Sequence, residues 1–389
     1  MPTPTGLSEA VQARLPRFLA ELEALVNIDC GSYTPAGVNR VADFVQASLA
    51  ELGATVERIP HEPDDGESQL GDLVVGALPG DGPRLLLIGH MDTVFGEGTV
   101  AERPYTVRGD RALGPGTSDM KGGLLAGLHA LAALQAAGTR PNVTFVANPD
   151  EEIGSIFSVQ RIRRLAPQHD VALILESARA NGDIVSARKG IADLELTFVG
   201  RAAHAGVEPE KGRSAILAAA QAVVGLHELN GRWPGVTVNA GVIAGGTRPN
   251  VVAERCSLQV DLRATRADTF AQARAEVERL IATPAVEGVT CELRTMATHP
   301  PMEKGPATAR LAELAIAIAG ELGFELRDTS TGGASDGNTT SAAGTPTLDG
   351  LGPIGGDDHS VDEWMDLSSV APRTTLLATL IARIDDALS

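Results

Sequence analysis

The chain has 389 residues, enough for about two domains with sizeable cores, and it is rich in glycine and poor in aromatics. Its formal net charge of -18 argues against nucleic acid or an anionic membrane surface as partner, and means that an acidic substrate needs a locally basic pocket. No apolar run approaches the ~20 residues of a membrane span, the start Met1-Pro2-Thr3-Pro4-Thr5 has no basic segment followed by an apolar one, and the scattered Cys30, Cys256 and Cys291 fit a reducing, cytoplasmic setting without disulfides.

The first helix is predicted from Ser8, a good N-cap, to about Asn27, with Phe18, Leu22 and Leu25 on its apolar face. A second is predicted from about Gly37 to Leu52, stopped by Gly53. Strands follow near Thr55–Ile59 and Leu73–Leu78. The run Leu85-Leu86-Leu87-Ile88 reads as a strand buried on both faces, as in a parallel sheet between helices. It stops at Gly89 and delivers His90, Met91, Asp92 and Thr93. A turn-rich loop, Gly114–Gly123, leads into a helix through Ala137, and buried strands follow at Val143–Ala147 and Val171–Leu175. This is the order of βαβ units.

Near Asp183–Gly190 the pattern changes. Leu194, Leu196 and Phe198 alternate with polar residues, as in a strand with one wet face. A helix from about Arg213 to Asn230, strands at Val236–Ile243 and Val251–Arg263, a helix at Ala267–Ile281 and a strand near Val289–Met296 complete a βαββαβ unit, the order of a ferredoxin-like sandwich. Helix–strand patterning resumes at Pro306. The expected architecture is an α/β domain with a mixed, largely parallel central sheet, residues 1–188 and 303–389, with a ferredoxin-like α+β domain inserted at 189–302.

In an open α/β sheet, ligands sit beyond the carboxyl ends of the strands. Three predicted strands end in side chains that can hold a metal: His90, the pair Glu151 and Glu152, and Glu176. Loops add Asp119 and His359. Singly, each has a plainer reading, as a satisfied core histidine, a solvated acidic turn, the first exposed residue after a strand, a helix cap or an exposed loop histidine. Together they make a mixed His and carboxylate set suited to Zn²⁺, Co²⁺ or Mn²⁺. Five ligands exceed one open tetrahedral site but suit two metals sharing a bridging carboxylate. Asp92 can accept the other N–H of His90 and fix its tautomer. Glu151 is left over as the free general base that a metal hydrolase needs. A dinucleotide oxidoreductase would need Gly-x-Gly-x-x-Gly after the first strand, and no such run follows any predicted strand.

The segments Gly-His-Met-Asp-Thr at 89–93, Gly-Thr-Ser-Asp-Met-Lys-Gly-Gly at 116–123, Asp-Glu-Glu-Ile-Gly at 150–154, Glu176 and Asp-His-Ser at 358–360 carry a resemblance over nearly the whole chain. The chain resembles the co-catalytic zinc peptidase family of glutamate carboxypeptidases, acetylornithine deacetylase, succinyl-diaminopimelate desuccinylase and aminoacylases, above all the glutamate carboxypeptidase branch. The resemblance implies a zinc-peptidase-like catalytic domain with two Zn²⁺ per subunit, Co²⁺ or Mn²⁺ being substitutes. His90 and Glu176 would hold one ion, Glu152 and His359 the other, and Asp119 would bridge. Asp92 would orient His90, and Glu151 would be the base for amide hydrolysis by an activated water. The inserted domain would form a homodimer in which His204, in Arg201-Ala202-Ala203-His204-Ala205-Gly206, stabilises the oxyanion in the partner's active site.

Glu at position 176, where aminopeptidase-like members tend to have Asp, resembles the carboxypeptidase and acylase branches. Asn250 and Arg263 match positions that bind a free α-carboxylate in those relatives, although taken alone Arg263 fits a surface ion pair equally well. A bidentate Arg contact is the sensible way to select an anion on so acidic a chain. The loop Thr331–Asn338 also matches, and backbone N–H groups around Gly332 and Gly333 would line the carboxylate end of the pocket. Thr298-His299-Pro300-Pro301 stands near the place where folate-hydrolysing members carry an extra Arg, so His299 implies weaker or different recognition of a glutamate side chain. The expectation is a carboxypeptidase that releases a C-terminal amino acid, glutamate or another acidic residue, from small peptides or N-acyl conjugates. The alternative is an N-acyl-amino-acid deacylase of the acetylornithine deacetylase or aminoacylase type.

Overall fold

The computed structural model describes residues 3–388, which fall into two compact units. The first comprises the chain up to Ser186, Lys304–Ser330 and the chain from Ser335 on. Its core is a six-stranded sheet in the order Thr55–Ile59, Leu73–Leu78, Pro141–Asn148, Asp81–His90, Val171–Ile174, Thr347–Leu348. The last four of these run parallel, and the first two pair antiparallel. The aliphatic run at 85–88 is split between both faces. Leu85 and Leu87 join one core with the helices Pro4–Val26, Gly122–Ala136 and Val370–Ala382, whereas Leu86 and Ile88 pack with Ile162 and Ala166 on the other side. Burial on both faces is why the strand shows no alternation in sequence. Glycine seats one covering helix: a Cβ on Gly123 would lie 1.7 Å from the Leu175 carbonyl oxygen, so the helix that follows Asp119 approaches the Glu176 strand as only glycine permits.

The first helix begins at Pro4, earlier than expected, because Thr3 and not Ser8 is its cap; the Thr3 hydroxyl accepts the Gly6 N–H at 3.2 Å. A small antiparallel sheet with no clear sequence signal joins Thr106–Arg108, Arg111–Leu113, Trp364–Asp366 and Gly355–Gly356. Its strands are two or three residues long, too short to show a period.

The second unit, Ala187–Glu303 with Thr331–Ala334, holds a four-stranded antiparallel sheet ordered Thr237–Gly245, Arg255–Ala264, Gly190–Val199, Thr290–His299. The helices Ala215–His227 and Ala267–Ala282 cover one face, where Leu194, Leu196, Phe198, Leu258, Val260 and Leu262 are buried. This is the ferredoxin-like order expected from the alternation. Among the described residues, no helix is long and apolar enough to cross a membrane.

Candidate metal centre

The parallel strands of the first unit end in register. His90 pairs with Asn148, and Ile88 pairs with Ile174 two residues before Glu176. One strand end therefore presents His90, the next the turn Asn148–Ser155, and the third Glu176. Two loops close on the same place. His90 Nε2 lies 3.0 Å from Asp119 Oδ1 and 3.6 Å from Glu176 Oε1. His359 Nε2 lies 3.1 Å from both Asp119 Oδ2 and Glu152 Oε2. Asp119 thus turns one oxygen to each imidazole. Ligand atoms of His90, Glu151 and Glu176 lie within 4.8 Å of one another, as do those of His90, Asp119 and Glu152.

Asp92 does more than face His90. The His90 Nδ1 lies 2.9 Å from the Asp92 backbone carbonyl and 3.4 Å from its carboxylate, so the carbonyl is the nearer acceptor. The carboxylate accepts the backbone N–H groups of Glu151 and Glu152, each at 3.1 Å, and the Ser32 hydroxyl at 2.7 Å. One buried carboxyl group thereby fixes the backbone of two consecutive glutamates.

Two further buried acids escaped the sequence reading. Asp336 accepts Asn148 Nδ2 and Ser155 Oγ, both at 2.7 Å, and so clamps the two ends of the glutamate turn. Ser155 sits at φ 54, where a side-chain-bearing residue costs about 1–2 kcal/mol, and this clamp helps hold it there. Glu363 accepts the N–H groups of Gly116, Ser118 and Asp119. Both acids lie in stretches noticed for other residues, the glycines of Thr331–Asn338 and the histidine at 359. Their partners are mostly backbone or small polar groups, which leave no charge pattern in the sequence.

Burial pushes Glu151 well above the usual carboxylate range; His90 opposes this, and Glu176, Glu152 and Asp336 reinforce it. Burial likewise raises Glu152, against its hydrogen bond with His359. For Asp119, burial is outweighed by the bonds from His359 and His90, which hold it low. Burial disfavours charge on His90, yet Glu176, Asp119 and Asp92 together raise it. Hydrogen bonds to Asp119 and Glu152 push His359 up to about 11. The acids thus draw positive charge into the cluster, and Glu152 Oε1 is buried with no hydrogen-bond partner among the described residues. Carboxylates, two imidazoles and an orphaned oxygen fit divalent cations, which would displace the imidazole protons.

The remaining residues singled out in the sequence belong to the second unit. His204 is exposed and bridges to Val251, while the Ala205 N–H donates to the Asn250 carbonyl at 3.0 Å. A cavity of about 550 Å³ beside them is lined by Ile216, Arg248 and Val251 among others. Arg263 donates to Asp261 at 3.0 and 2.9 Å, and through Nη1 to the Gly332 carbonyl at 2.9 Å. The Gly333 carbonyl accepts from Arg188 at 3.2 Å.

Residues 86–383 match the model of peptidase family M20/M25/M40. The chain is 31% identical to carboxypeptidase G2 of Pseudomonas sp. (strain RS-16) over 384 residues, 96% of this chain and 91% of that protein. It is 29% identical to acetylornithine deacetylase of Myxococcus xanthus over 262 residues, 64% of this chain and 67% of that protein. The fold also matches the crystal structure of aminopeptidase PepT from Bacillus cereus ATCC 10987, with a TM-score of 0.76 at 22% identity, covering 96% of this chain and 99% of that one. With a cluster of side chains that could hold a cation beyond the strand ends and a family match over most of its length, the chain belongs to peptidase family M20/M25/M40 and is a metal-dependent hydrolase of amide bonds.

Proposed function

We propose that the chain is a carboxypeptidase that releases a C-terminal amino acid, preferring glutamate or another acidic residue, from small peptides or N-acyl conjugates. The observation that carries this reading is its likeness to carboxypeptidase G2 along nearly its whole length. His90 and Glu176 would hold one Zn²⁺, Glu152 and His359 the second, and Asp119 would be shared between them, an assignment supported by the two Asp119 oxygens on separate imidazoles. When bound, the ions polarise a carbonyl and make a water acidic. The Glu151 carboxylate takes the proton of the attacking water and delivers it to the leaving amide nitrogen. Asp92 holds the backbone of Glu151 and Glu152 together, so base and ligand keep a fixed relation.

The substrate carboxylate binds to Asn250, Arg263 and the backbone around Gly332 and Gly333; the Arg263–Gly332 contact supports grouping these residues. His204 reaches the active site of a second copy of the chain and donates to the oxyanion. Exposed Ile216, Leu217 and Val224 on one helix, with Val242 and Ile243 on an edge strand, support a homodimer through the second unit. Three free cysteines favour a cytoplasmic enzyme.

Amino-acid release from a panel that varies the C-terminal residue against a fixed acyl group, then the reverse, tests this function with zinc present and after chelation. The expected rates follow the C-terminal residue, favour Glu or Asp, and vanish on chelation. Rates that follow the acyl group would instead make the chain an N-acyl-amino-acid deacylase. The likeness to acetylornithine deacetylase, and the hold that Asp261 already has on Arg263, favour that second reading.

A further inference from the structure

Glu363 is neither ligand nor base in the reading above, yet it is 1% exposed. A carboxylate is expensive to bury unless its oxygens are used. Here Oε2 accepts the Gly116 N–H at 3.0 Å, and Oε1 accepts those of Ser118 at 2.8 Å and Asp119 at 3.1 Å. All three donors belong to the loop that presents Asp119.

The other end of the same short segment carries His359, and the chain between is locked. Trp364 Nε1 donates to Asp357 Oδ2 at 2.9 Å, Trp364 pairs with Gly356, and Ser360 Oγ donates to the Asp357 carbonyl at 2.6 Å. The Arg111 guanidinium lies 3.9 Å from the centre of the Trp364 ring, fixing its outer face. His359 itself sits at φ 62, a conformation that needs such support. One short piece of chain, tied across itself at Asp357 and Trp364, therefore holds a histidine at one end and the backbone of its acidic neighbour at the other. His359 Nε2 and Asp119 Oδ2, one carried by each end, lie 3.1 Å apart.

We infer that Glu363 is a positioning residue that locks Asp119 against His359 and thereby sets the affinity of the metal pair. This rests on the metal assignment of the proposed function. A residue that merely closed a loop would change stability and leave metal affinity alone. A positioning residue changes metal affinity in a protein that still folds.

The test is zinc titration, against a chromophoric chelator, of metal-free wild type, Glu363→Gln and Glu363→Asp, with the unfolding midpoint of each metal-free protein as the folding control. Gln keeps the shape but offers one acceptor oxygen and turns an NH2 group toward backbone N–H donors. Asp keeps both acceptors on a shorter stem. The expected result is two zinc ions on the wild type, a fall of about 10- to 100-fold in the affinity of at least one ion in the Gln variant, and a smaller fall in the Asp variant. A folded Gln variant with wild-type affinity for both ions overturns the inference. Where the Gln variant fails to fold, unchanged affinity in the Asp variant does the same. Fewer than two zinc ions on the wild type would instead remove the metal-pair assignment, and the inference with it.

Discussion

The two units handle their chemically active side chains in opposite ways. In the first, Asp92, Asp336 and Glu363 are buried and spent on holding backbone and small polar groups, so the fold itself holds the chain around Asp119 and the glutamate turn. In the second, His204 and Asn250 are exposed, and Arg263 is held by a neighbouring acid. Rigid supports suit bond-breaking, where small displacements are costly. An exposed surface suits recognition, which can vary without disturbing the reaction. This division predicts a loss of kcat for substitutions in the first unit and a rise in KM for the carboxylate-binding residues of the second, His204 being the residue of the second unit that the proposed mechanism assigns to the reaction itself.

The largest effect belongs to the first unit. Glu151→Gln should lower kcat by about 10²–10⁴-fold while zinc content, read by atomic absorption, stays at the wild-type value. An appreciable residual rate would remove Glu151 as base. Next comes His204→Ala in the second unit, expected to lower kcat by about 10²–10³-fold. If His204 acts in a second copy, mixing inactive Glu151→Gln and His204→Ala chains should restore roughly a quarter of wild-type sites through hybrid dimers. No recovery on mixing would confine His204 to its own subunit or remove it from the reaction. Arg263→Met should raise KM for substrates with a free α-carboxylate by about 10- to 100-fold, the worth of a hydrogen bond to a charged group, with kcat largely kept. A fall in kcat alone would place Arg263 on the wrong side of the comparison.

The smallest effect concerns pH. In the metal-free protein His359 keeps its proton up to about 11, whereas its ordinary value is 6.5. Between those values the folded state binds more protons than the unfolded chain, so stability from this group is present below pH 6.5 and is lost as pH rises toward 11. Zinc requires the neutral ring, and the loaded protein should lack this slope. Urea unfolding of both forms at pH 6 and pH 9 checks it; equal slopes would mean that zinc does not displace the His359 proton.

The first unit was legible because strands buried on both faces leave runs such as Leu85–Ile88, and because the side chains proposed to hold the metals follow where such runs stop. The second unit was legible by the opposite signal, the alternation of Leu194, Leu196 and Phe198. Asp336 and Glu363 were not legible as supports. An acid that binds backbone N–H groups of a distant loop looks, in sequence, like any solvated acid, and only the tertiary approach of the two segments distinguishes them. The short strands around Trp364 escaped because two or three residues carry no period.

Neighbouring strands of a sheet lie about 4.8 Å apart, a distance fixed by backbone hydrogen bonds. His90 faces Asn148 across one such interval, and Ile88 faces Ile174 across the next. The sheet is therefore a ruler laid under the reaction, graduated in units that aliphatic substitutions beneath it do not change. Leu for Ile below the centre alters packing but leaves the graduation alone. Surface loops outside the cluster are free to be redrawn for new substrates, while the spacing of His90, the glutamate turn and Glu176 is inherited from the backbone.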